Sequence, residues 1–133
     1  MKRALLGFLI FSVVLSAVSC QKDSVTPADP SKVTINVTSP DVSHIFHNGE
    51  TMHIVADVTY ITNLTGYDLY LTNRNTGDTL YHAGKDENKD QFTISQDWVD
   101  TCTVTTHLQL TIFAKINTYG AAATKLFYLE AQP

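Results

Sequence analysis

Residues 51–72 read TMHIVADVTYITNLTGYDLYLT, and this stretch decides the fold. Met52, Ile54, Ala56, Val58 and Tyr60 fall on every second position, the period of a strand with one face on a core. Residues 63–66 interrupt the run. Tyr67, Leu69 and Leu71 then resume it, opposed by Asp68, Tyr70 and Thr72. An amphipathic helix needs apolar residues three and four apart, and no window of about eleven residues past the N-terminal segment supplies that spacing.

The same period extends in both directions. Upstream, Val33, Ile35 and Val37 alternate until Ser39-Pro40 stops the strand. A loop follows, and Asn48-Gly49 signals a turn. Downstream, 73–78 (NRNTGD) reads as a hairpin loop, 79–82 as a short strand and 84–90 (GKDENKD) as a charged, exposed loop. Residues 91–95 carry Phe92 and Ile94 on another short strand. Residues 97–100 read as a brief turn, with Trp98 capping one end of the core. The longest strand is expected over 104–116, with Leu108, Leu110, Ile112 and Ala114 inward and Gln109, Thr111 and Lys115 toward water. Tyr119-Gly120 turns the chain into a last strand at 124–130. About seven strands with connections too short for helical crossovers make an all-β, antiparallel two-sheet sandwich. The Cys…Trp…Cys hallmark of antibody domains is missing, so the sandwich is Ig-like or fibronectin-III-like in architecture only.

The chain has 133 residues, which is one domain at roughly 100–200 residues each. Nine Lys+Arg stand against thirteen Asp+Glu, a net charge of −4, and nucleic acid needs a concentrated basic face instead. The N-terminus is different in kind. Lys2 and Arg3 precede an apolar run over 4–18 interrupted only by Gly7, Ser12 and Ser16. A spanning helix takes roughly 20 apolar residues, so this run reads as a secretory h-region and residues 1–19 as a removed signal peptide. Residues 20–31 then form a polar tether stiffened by Pro27 and Pro30, and 32–133 the folded domain.

Ala17-Val18-Ser19-Cys20 resembles the lipobox of bacterial lipoproteins. The resemblance implies that Cys20 is acylated and becomes the mature N-terminus; two or three acyl chains anchor stably where one does not. Gln21-Lys22-Asp23 resembles the export signal that sends Bacteroidetes lipoproteins to the outer leaflet, although Ser24 stands where a second acid is typical. A periplasmic tether is the other reading. Asp23-Ser24-Val25 also resembles a short O-glycosylation acceptor of that group. Without residues 1–19 the charge is seven basic minus thirteen acidic, or −6, so anionic lipid repels the domain and the acyl chains must hold it. Residues 32–131 as a whole resemble small Ig-like modules of Bacteroidetes lipoproteins, carried by 35–40 (INVTSP), Asn48-Gly49-Glu50 and 67–71. That resemblance implies a fold and little about activity.

With Cys20 lipidated, Cys102 has no partner for a disulfide, and Thr101-Cys102-Thr103-Val104 reads as the buried entry to a strand. His44, His47 and His53 are a candidate zinc or copper set, since imidazole suits both metals. Scattered surface histidines explain them better, because His44 and His47 fall in an irregular loop; His82 and His107 are more isolated still. Asp86, Glu87 and Asp90 lack the alternate-position spacing of a calcium loop. No nucleophile elbow, zinc-protease helix or phosphate loop is present, and no cofactor is expected. Six tyrosines and Trp98 raise the idea of sugar stacking, with Tyr70 and Trp98 as candidates. Three functions remain: a non-catalytic envelope module in adhesion or an assembly, a glycan-binding surface lipoprotein, and a metal-binding protein.

Overall fold

The computed structural model describes residues 27–133. The expected signal peptide, Cys20, Gln21-Lys22-Asp23 and Ser24 lie outside the described residues. Six strands follow a short 3-10 turn at Pro30–Lys32: β1 (Thr34–Ser39), β2 (Ile45–His47), β3 (Thr51–Asn73), β4 (Thr79–Val99), β5 (Thr106–Lys115) and β6 (Ala122–Gln132). They form an Ig-like β-sandwich. One layer holds β1, the first half of β3 and the second half of β4, paired as Val37↔Ala56 and Val58↔Phe92. The other holds the remaining halves with β5 and β6, paired as Leu69↔Ala83, Leu69↔Ile112 and Leu110↔Phe127.

Two long strands therefore serve both layers. β3 and β4 turn the corner together through register shifts around Leu64, where Gly66 takes φ 148° and Asn88 takes φ 82°. The charged stretch 84–90 is thus not a loop: Lys85, Asp86 and Lys89 pair with Tyr67, Gly66 and Leu64. Its side chains stand largely in solvent, so no apolar alternation marks it as strand. Glu87 sits between Lys85 at 2.6 Å and Lys89 at 3.5 Å, which lowers its carboxyl pKa mainly through the Lys85 hydrogen bond.

Three further expectations change. Asp97, Trp98 and Val99 end β4 rather than turning, with Trp98 opposite Met52. β5 starts only at Thr106, so Cys102 lies half-buried in the preceding connection and β5 is not the longest strand. His47 lies on β2, which pairs parallel to β6 as Ile45↔Glu130 and His47↔Gln132, whereas the other pairings among the described residues are antiparallel. β2 is three residues long and buries only Phe46, too little for a periodic signal.

The core joins the inward faces of both layers: Met52, Ile54, Ala56 and Val58 meet Leu69, Leu71, Leu108, Leu110 and Ile112. Fully burying each Met, Ile, Val or Leu among them contributes about 1.5–3 kcal/mol relative to exposure. Packing also reaches into the expected tether: Ala28 lies against the core, and the Asp29 N–H donates to Tyr60 Oη at 3.0 Å.

Candidate functional site

Alternation that fills the core also builds the opposite face of the second layer. Since Tyr67, Leu69 and Leu71 point inward on β3, Asp68, Tyr70 and Thr72 point outward. On β5 the outward set is Gln109, Thr111, Phe113 and Lys115, and on β6 it includes Leu126 and Tyr128. Register then sets neighbours across four strands. His82, Tyr70, Thr111 and Leu126 form one row, and Gln109 faces Tyr128 in the next.

The row is packed rather than loosely solvated. Tyr70 and His82 stack with centroids 4.4 Å apart at 19°, and Phe113 meets Tyr70 at 6.0 Å in a T-shaped pair. Thr111 is only 7% exposed although it belongs to the outer face. Its Oγ1 accepts from Gln109 Nε2 at 3.2 Å. Leu126 and Tyr128 remain 48% and 56% exposed at the β6 side. Polar groups rim the apolar centre. Lys115 Nζ lies 3.6 Å from Asp68 and 3.3 Å from Asp86, His82 Nε2 lies 3.7 Å from Asp68, and the Arg74 guanidinium sits 4.3 Å above the Tyr128 ring. An apolar centre with a charged rim is the general anatomy of a protein-binding surface.

The sugar-stacking candidates do not offer open ring faces. Trp98 is 7% exposed and packs in the core, so its place as a ligand-binding residue is corrected. Tyr70 is on the outer face, but His82 covers one side of its ring and Phe113 flanks it from the neighbouring strand. Sequence reading missed Phe113 and Leu126 as members of this face. Their outward phase on β5 and β6 was the available signal.

The rings of His44 and His53 are drawn to separate carboxylates. His44 Nε2 lies 2.6 Å from Glu50 Oε1, while Glu50 Oε2 accepts the His47 backbone N–H at 2.9 Å. These contacts hold the Glu50 carboxyl below its ordinary pKa, the His47 N–H contributing most. His53 Nδ1 instead meets Asp97 Oδ1 at 2.6 Å across the β3–β4 pair. Among the described residues no group of three His, Cys, Asp or Glu side chains stands close enough to hold a metal ion. Ser43 Oγ donates to Asp41 at 2.8 Å rather than to His44, which leaves no activated hydroxyl in that loop. Burial, reinforced by a hydrogen bond to Asp100, raises the Cys102 thiol pKa and keeps it protonated at neutral pH.

No protein-family model matches the chain, and no curated protein sequence matches it. Solved structures do resemble it. The fibronectin(III)-like modules of Clostridium thermocellum CbhA align at a TM-score of 0.45 and 13% identity, over 76% of this chain and 46% of that one. The CARDB domain of a Pyrococcus furiosus protein aligns at 0.43 and 12%, over 76% and 94%. A Listeria innocua beta-glucosidase in complex with gluconolactone aligns at 0.47 and 9%, over 76% of this chain and 16% of the enzyme.

Proposed function

We propose that the protein is a lipid-anchored, non-catalytic module of the bacterial cell envelope that holds a protein partner, in adhesion or as an accessory subunit of an envelope assembly. The observation that carries this reading is the outer face around Tyr70, Phe113, Thr111, Leu126 and Tyr128. Its apolar centre is already ordered by cross-strand packing, so binding would cost little further side-chain entropy. The residues at 2–20 support export and acylation, and Gln21-Lys22-Asp23 supports the outer leaflet. The glycan reading is the weaker one at its two candidates, because Trp98 is buried and Tyr70 is stacked on His82. The test places a photocrosslinking amino acid at position 126 of the full chain in its own cells. A discrete protein adduct that disappears with Phe113→Asp is expected. Adducts no stronger than those from position 93 on the other layer would remove the face from consideration.

A further inference from the structure

We infer that the pole where the chain enters the sandwich is a membrane-contact surface, anchored by Tyr119 and Ile61. This rests on the lipid at Cys20 proposed above. Seven residue steps separate Cys20 from Pro27. A chain reaches at most about 3.6 Å per residue, so Pro27 stays within about 25 Å of the Cys20 Cα whatever that stretch does. Pro27 opens a cleft of about 280 Å³ shared with Tyr60, Thr62, Asn117 and Tyr119. The anchor and this pole are therefore held together.

The pole has the surface chemistry for that neighbour. Tyr119, in the turn between β5 and β6, is 94% exposed, and Ile61, between the cleft residues Tyr60 and Thr62, is 62% exposed. A tyrosine pairs an apolar ring with a hydroxyl that stays among headgroups, which suits the bilayer interface. Segments 60–64 and 116–121 contain no Asp, Glu, Lys or Arg. Residues 20–133 otherwise carry seven basic and thirteen acidic groups, and anionic headgroups repel such a surface. Beside these uncharged segments the charges are paired: Asp29, whose N–H reaches Tyr60 Oη, lies 3.7 Å from Lys32, and Asp86 and Lys115 flank the 117–122 turn. At the adjoining corner Lys85 and Lys89 are spent on Glu87, and Lys115 on Asp86 and Asp68. Contact here points the far pole, with the 73–78 hairpin, away from the membrane, because β3 runs from its corner to that hairpin.

The experiment uses the full lipidated protein reconstituted into phosphatidylethanolamine–phosphatidylglycerol vesicles containing brominated phosphatidylcholine. Tyr119→Trp is compared with Thr76→Trp in the far hairpin, and native Trp98 gives a common background. Quenching of the added emission is expected to be at least about twofold greater for Tyr119→Trp. Equal quenching overturns the contact. Mass spectrometry of the same preparation separates the two ways of failing. Acyl mass on Cys20 with equal quenching sinks the contact alone, whereas absence of acyl mass sinks the anchor and this inference with it.

Discussion

Glu50 ties three segments together with one side chain and one carbonyl. Its carboxylate takes the His44 ring and the His47 N–H, and its carbonyl accepts the Asp100 N–H at 2.8 Å. Asp100, 1% exposed, returns a carbonyl bond to Gly49 at 2.7 Å and accepts the Cys102 N–H at 2.7 Å on Oδ1. This small net fixes β2 and the β4–β5 connection at one end of the sandwich. The folded-state pKa of Glu50 is lowered, so its contribution is fully present above the ordinary value of 4.5 and is lost as pH falls through the lower folded value. Glu50→Gln should therefore lower Tm at pH 7, and the gap to the native protein should close in acid. Thermal melts from pH 7 to pH 2 check this. A gap that is constant with pH would mean the carboxylate charge does not matter there.

At the scale of elements, the shared corner of β3 and β4 is the feature most sensitive to a single atom. A Cβ at Gly66 would run into the Lys85 carbonyl oxygen and lie 2.9 Å from Asp86 Cα, at a φ that L residues rarely adopt. Both obstacles are backbone, so neither can move without unpairing the corner. At Gly84 the nearest obstacle is the Asp68 carboxylate, which can rotate aside. Gly66→Ala should cost about 3 kcal/mol or more and Gly84→Ala about 1 kcal/mol, read from urea midpoints. Equal losses would refute the distinction. The corner also marks where sequence reading stops. Met52, Ile54, Ala56 and Val58 declare their strand because one face is buried, whereas from Lys85 to Asp90 only the charged Glu87 is covered and composition alone is left to read. The outer face of the second layer was half legible for the same reason. Alternation turns Tyr70 outward, but its stacking on His82 depends on the Tyr70↔His82 register, which no local pattern encodes.

For the whole molecule, the placement of an exposed Tyr119 beside the chain entry and an outer face along the second layer makes sidedness the deciding question. A face meant for partners outside the cell is useless on the inner leaflet. Lys22 and Asp23 are the residues that would be read by a sorting machine close to the lipid, being two and three positions past Cys20. Replacing both with Ala should leave the proposed acylation unchanged, since the residues that resemble a lipobox end at Cys20. The melt of the domain should also be unchanged. Only exposure should differ: protease added to whole cells is expected to degrade the native protein and spare the double variant. Equal protection of both would assign the module to the periplasm, and a role in adhesion to outside partners would fall while one in an envelope assembly would stand. Equal degradation of both would mean that the chain reaches the surface by another signal. In that case the binding face keeps its proposed role, and only the meaning of Lys22 and Asp23 is lost.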